Sequence, residues 1–139
     1  MTKPNDRFAH GEHNEQACEY LMKESNGSFK DWVITTAFYS SLHFVSSKLF
    51  PFDMPAIEGK TTKIENIDQY YSYTKAQSKN ISKHELLLEL VDKRLDKAYN
   101  FYDWLLSTAT TARYSHYQHP PEVANRAVTY MKNIKKLCV

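Results

Sequence analysis

Glycine is scarce in this chain: three in 139 residues, beside five prolines and two cysteines. So little turn chemistry argues against a sandwich or barrel of many short strands and favours long helices. Cys18 and Cys138 lie near opposite ends and form neither a CxxC pair nor a close Cys/His cluster of zinc type. Reduced, structural thiols are the expectation, and they suit a cytoplasmic protein. The opening stretch MTKPNDRFAHGEHN has no apolar core of the kind a signal peptide carries. The uncharged run from Trp32 to Ser47 is shorter than the roughly 20 residues of a membrane span, and it holds four serines, two threonines and a histidine. There is no Gly-rich phosphate loop and no GxSxG, HExxH or EF-hand pattern. The lack of a carboxylate pair in a helical metal motif argues against a di-iron bundle as well. The net charge of +2 is too small to imply a nucleic-acid partner by itself.

What is present is apolar and aromatic. A hydrophobic content of 42%, of which aromatics make 14% of the chain, fits one globular domain over residues 1–139 with a sizeable core. Residues 1–5 read as a loose tail. The chain is organised around Asp31–Phe50, DWVITTAFYSSLHFVSSKLF. Ile34, Phe38, Leu42, Val45 and Leu49 recur at spacings of 4, 4, 3 and 4 on one helix face. Ala37 and Phe44 flank this stripe on one side; Trp32, Tyr39 and His43 flank it on the other. A narrow strip of Thr36, Ser40 and Ser47 stays polar. A helix apolar over most of its circumference is buried from several sides, which makes it the central helix of a bundle.

A first helix is predicted from about Asp6 to Ser25, with Asp6 as N-cap and an apolar face of Ala17, Tyr20 and Leu21 that His10 and His13 extend. Ser25-Asn26-Gly27-Ser28 is a stop and turn, so the first and central helices are antiparallel neighbours. Residues 51–80 form a long irregular loop, and Tyr70, Tyr71 and Tyr73 within it either stack bases or pack down to tie the loop to the bundle. Ser82 and Glu85 make a capping box. Beyond it, Leu87, Val91, Leu95, Ala98, Tyr102, Leu105, Ala109 and Ala112 mark one long helix or two collinear ones, with a break near 92–97 and an end near Arg113. The last helix starts at Pro121 and carries Val123, Ala127, Tyr130, Ile134 and Leu137 on its apolar face, with Arg126, Lys132, Lys135 and Lys136 solvated. The fold class is therefore all-α: a four- to five-helix antiparallel up-and-down bundle.

The residues able to carry chemistry are few. His10 and His13 stand at i and i+3 near Glu12, but with no specific third ligand they do not define a metal site. No cofactor is implied. His43, four residues after Tyr39, reads as a core histidine. The most informative stretch is Arg113-Tyr-Ser-His-Tyr-Gln-His119, which joins a permanent cation, imidazoles and phenols at a helix end. Arg can hold a phosphate bidentately and His can exchange a proton near neutral pH. The same residues also suit a polar turn whose Arg caps helix carbonyls and whose tyrosines pack.

Two blocks resemble the HEPN family of helical proteins. DWVITTAFYSSLHFV resembles the second helix of small bacterial members, and TTARYSHYQHPPEVANRAVTYMKNIKKL resembles the family's end: an Arg-Tyr turn, a polar loop and an Ala/Val-rich last helix. His84 in KHELL is similar to a histidine preceding the third helix of some members. The resemblance spans about His10 to Leu137. It implies a bundle that pairs as a homodimer, and for many members a metal-independent endoribonuclease whose Arg and His have four to six residues between them. Arg113 and His119 have five residues between them. In this reading they are catalytic, Arg113 on the scissile phosphate and His119 as general acid or base, with Tyr114, His116 and Tyr117 binding substrate. Tyr114 stands where active members often carry a polar residue, and Pro120-Pro121 follow His119 directly.

The expectation is thus a HEPN-type protein that acts on or binds RNA or nucleotides, in the manner of a toxin–antitoxin ribonuclease. The alternative is a non-catalytic helical module whose partner is a second copy or a nucleotidyltransferase-like antitoxin. If Arg113 and His119 share an open cleft, the first holds; if Arg113 is sequestered, the second.

Overall fold

The computed structural model describes residues 4–55, 61–76, 80–115 and 117–139. It is an all-α bundle. Six α-helices follow in the order α1 (Pro4–Glu24), α2 (Lys30–Leu49), α3 (Ile67–Lys75), α4 (Lys83–Arg94), α5 (Tyr99–Tyr114) and α6 (Pro121–Cys138). A two-stranded antiparallel hairpin, β1 (Phe52–Pro55) and β2 (Thr61–Ile64), stands between α2 and α3. No helix among the described residues is long and apolar enough to cross a membrane.

The α2 helix is central and packs against α1, α4, α5 and α6. Ile34, Ala37, Phe38, Phe44 and Val45 lose all solvent contact. Each large apolar side chain so buried contributes about 1.5–3 kcal/mol. The α1–α2 turn has Asn26 and Gly27 in left-handed conformations, at φ 53° and 82°, which suit Gly and Asn and stop the first helix. Ser82 caps α4, its Oγ accepting from the Glu85 N–H at 3.2 Å. The predicted break near 92–97 falls at Leu95, followed by a single 3₁₀ turn, Asp96–Ala98, before α5. Pro121 begins α6, where its missing N–H costs nothing.

The faces of three helices differ from their predicted register. On α1, Ala17 and Tyr20 are exposed, and the buried face is Arg7, Gly11, Glu15 and Cys18. The reason is partnering. Glu15 accepts from Lys132 Nζ at 3.0 Å and Lys135 Nζ at 2.8 Å, and Arg7 donates to the Glu65 carbonyl. Those two lysines are therefore engaged with α1 rather than simply solvated. On α2, Ser40 is fully buried, since its Oγ donates to the Gly11 carbonyl at 2.6 Å where α1 and α2 approach closely. Trp32 and Tyr39 are left at the surface instead. On α6 the buried residues are Ala124, Ala127, Met131, Ile134 and Cys138, a face rotated from the predicted one.

Residues 51–80 are more regular than the sequence suggests. The β1–β2 hairpin and α3 occupy much of the stretch, and Asn66 caps α3 by accepting from the Gln69 N–H at 2.9 Å. Tyr70 is buried and stacks edge-on against Phe52 at 5.4 Å. Tyr71 and Tyr73 are half-buried against the core. The tyrosine cluster packs down and ties the hairpin to the bundle.

Candidate functional site

Arg113 lies in the last turn of α5, where a cation complements the helix dipole. Its side chain folds back over α2. The guanidinium carbon stands 5.6 Å from the Phe38 ring centroid, 5.4 Å from Tyr39 and 5.3 Å from Tyr114. A guanidinium among three rings is held by cation–π attraction, which strengthens as water is removed. Nε and Nη1 are buried and have no hydrogen-bond partner among the described residues. An unsatisfied buried donor costs about 1–3 kcal/mol, so these two N–H groups favour any acceptor that reaches them.

Arg113 and Tyr114 line a hollow of about 260 Å³ together with Asp31, Trp32 and Thr35 of α2. Trp32 is 54% exposed and Tyr114 is 78% exposed. Two open aromatic faces thus flank a half-buried cation. Phe29, Trp32 and Tyr39, at spacings of 3 and 7, continue this exposed aromatic row along one side of α2.

His84 joins this site from the first turn of α4. Its ring centroid lies 5.8 Å from that of Phe38, the ring that Arg113 also covers. Partial burial and the Arg113 charge both hold the His84 pKa below its ordinary value. The imidazole is therefore neutral at physiological pH and can accept as well as donate a hydrogen bond. Tyr102, whose ring lies 5.7 Å from that of Phe38, is completely buried, its hydroxyl has no partner among the described residues, and burial drives its pKa far up.

His119 is placed elsewhere. It lines a second hollow of about 340 Å³ with Tyr117, Gln118, Gly27, Ser28 and Lys30. The two hollows adjoin through Lys30 and Asp31 at the start of α2 but share no lining residue. Tyr117 is 69% exposed at the second. Of the predicted site residues, the fold brings Arg113 and Tyr114 to one hollow and His119 and Tyr117 to another, so within one chain Arg113 and His119 do not share an open cleft, and two of the Arg113 N–H groups are buried. His116 lies outside the described residues.

No family model, no curated protein and no solved structure matches this chain.

His43 is not enclosed as a core histidine. It is half-buried and stacks on His10 of α1, ring centroids 3.7 Å apart and planes 19° from parallel. Burial and the neighbouring His10 lower the His43 pKa to about 4. Among the described residues no group of three or more His, Cys, Asp or Glu is arranged to hold a metal ion. Sequence reasoning missed Trp32 and His84 as members of the Arg113 site. Trp32 had a signal, a large aromatic bordering the apolar stripe beside polar Thr36. His84 had none in spacing, since it reaches Arg113 through tertiary packing.

Proposed function

We propose that this chain is an RNA- or nucleotide-binding helical bundle of HEPN type, and that the Arg113 hollow is its binding site. The observation that supports the reading most is the Arg113 guanidinium, with two buried N–H groups that have no partner among the described residues, in a hollow that the exposed rings of Trp32 and Tyr114 also line. A guanidinium recognises phosphate in a forked, charge-assisted geometry. Exposed aromatic rings stack on bases with little regard to sequence, each such contact contributing about 1–3 kcal/mol. Cation and rings at one hollow suit a single-stranded RNA segment or a nucleotide, and the small net charge is then no obstacle, because the recognition is local.

Metal-independent ribonuclease activity is a finer proposal. The RNA's own 2′-hydroxyl would attack the adjacent phosphate, the bond to the 5′-oxygen would break, and a 2′,3′-cyclic phosphate would form. Arg113 would stabilise the charge gathering on the phosphoryl oxygens, and His119 or His84 would exchange the protons. Within one chain Arg113 and His119 line different hollows, so this chemistry needs a substrate spanning both or a homodimer that sets one against the other.

A second reading is a non-catalytic module. The row Phe29, Trp32, Tyr39 and Tyr114 exposes apolar area of the kind that marks a protein interface. A second copy of the chain, or a nucleotidyltransferase-like antitoxin, would cover it. The test is binding of single-stranded RNA by the purified protein in EDTA, with cleavage products analysed, for wild type, Arg113→Gln and His119→Asn. Binding that Arg113→Gln weakens at least tenfold, the loss of about 1.4 kcal/mol, supports the RNA site. Cyclic-phosphate products that both variants lose add the ribonuclease. A folded wild-type protein that ignores RNA and nucleotides overturns the reading in favour of the interaction module.

A further inference from the structure

A third hollow, of about 340 Å³, lies between α1, α2 and the start of α3. It shares no lining residue with the Arg113 hollow. Its polar groups are Arg7 and His10 of α1, His43 and Ser46 of α2, and the opening turn of α3 at Asn66–Asp68.

Arg7 is the residue that sets this hollow apart. It is 6% exposed, yet its guanidinium is only partly satisfied: one Nη donates to the Glu65 carbonyl, and Nη1 is buried without a partner among the described residues. Its charge rests 5.7 Å from the Phe50 ring. Burying a cation this far is costly unless an acceptor meets it. Burial pulls its pKa down, and the Glu65 charge offsets that only in part.

Two further features point the same way. The α3 helix is nine residues long and presents its N-terminus here. The Asn66 side chain satisfies the Gln69 N–H, whereas the first N–H groups of any helix have no intrahelical acceptor and carry the positive end of the dipole. The stacked rings of His10 and His43 add imidazole nitrogens that an anion would help to protonate. Two carboxylates bear on the hollow: Glu65, whose charge acts on Arg7, and the lining residue Asp68, which is 70% exposed and paired with Lys83 at 2.7 Å.

We propose that this hollow is an oxyanion site that takes a phosphate group, with Arg7 and the His10–His43 pair as donors and the N-terminus of α3 as the dipole. The volume falls at the lower end of small-ligand sites, room for a phosphate carrying one small substituent. The site is independent of the Arg113 reading. Phosphate binding beside His43 is expected to raise its pKa from about 4.

The test is an NMR pH titration of the His10 and His43 rings with and without inorganic phosphate, repeated with adenosine monophosphate. The variants are Arg7→Gln, His10→Asn and Arg113→Gln. Phosphate should raise the His43 pKa in wild type and in Arg113→Gln, and Arg7→Gln should weaken phosphate at least tenfold. His10→Asn alters an exposed ring, so it keeps the test open if Arg7→Gln fails to fold; it should weaken phosphate by a similar factor. Tighter binding of the nucleotide assigns the site to a phosphate monoester; equal binding assigns it to the free oxyanion. Histidine titrations that phosphate does not move, or an effect that folded Arg7→Gln and His10→Asn both retain, overturn the proposal.

Discussion

Replacing Glu15 by Gln tests how the bundle closes. Glu15 sits on the buried face of α1 with its side chain 8% exposed, and both carboxylate oxygens are used: Lys132 Nζ lies 3.0 Å from one and Lys135 Nζ 2.8 Å from the other. The same lysines reach Glu19 and Glu12 at 3.4 Å each, so the group is a network joining α1 to α6. Removing one member of a fully buried ion pair costs about 3–5 kcal/mol, and an exposed pair is worth about 0–1. Here the acid is buried and the lysines are 43% and 29% exposed, so Glu15→Gln should cost about 2 kcal/mol. At about 4 °C per kcal/mol for a domain this size, Tm falls by about 8 °C. Burial alone would raise the Glu15 pKa, but the hydrogen bonds from Lys135 and Lys132 outweigh it and the net shift is downward. A carboxylate with a depressed folded pKa adds stability above its unfolded value, about 4.3, and loses it as pH falls through the folded value. The gap between wild type and variant in urea unfolding should be full at pH 7 and close below about pH 4. An unchanged variant at pH 7, or a gap that persists in acid, would refute the reasoning.

Three other outcomes follow from the packing. Gly11→Ala should destabilise by about 1 kcal/mol or more despite alanine's better helix propensity, because its Cβ would stand 2.6 Å from Phe44 Cδ1 and 3.1 Å from the Ser40 carbonyl; thermal melts check the sign. Tyr102→Phe removes a buried hydroxyl that has no partner, so it should leave stability unchanged or raise it by about 1 kcal/mol; a marked loss in urea unfolding would reveal a bond that the hydroxyl makes. Arg113→Gln should move the His84 pKa upward by removing the charge that helps depress it, while burial keeps it below the ordinary value; an NMR titration of His84 that matches wild type would contradict their proximity.

How much of this was legible in the sequence depends on the kind of contact. The all-α bundle and its central helix follow from the 4, 4, 3, 4 recurrence of Ile34 to Leu49, because apolar periodicity is a local signal. Ser82, Pro121 and the Asn26-Gly27 turn announce themselves for the same reason. The α1 face does not. Arg7 and Glu15 read as surface residues until Glu65, Lys132 and Lys135 are known to meet them, and Glu15's partners lie 117 and 120 residues away. The register of α1 therefore depends on charges that only the tertiary fold pairs. At the site, Arg113 and Tyr114 stand out by their place at a helix end. Trp32 and His84 come to them from two other helices, and no spacing rule joins the three segments. The HEPN resemblance directed attention to Arg113 and His119 as a pair, whereas the single chain gives each its own hollow.

The most direct measurement uses Trp32 itself as the reporter. Trp104 packs edge-on against Tyr130 at 5.2 Å, away from the Arg113 hollow, so a Trp104→Phe background leaves Trp32 as the only indole. Titrating single-stranded RNA into that protein in EDTA should quench Trp32 emission saturably, and adding Arg113→Gln should abolish the quench at the same concentrations. Unchanged Trp32 emission in a folded protein at saturating RNA, or a quench that persists without Arg113, would contradict the account.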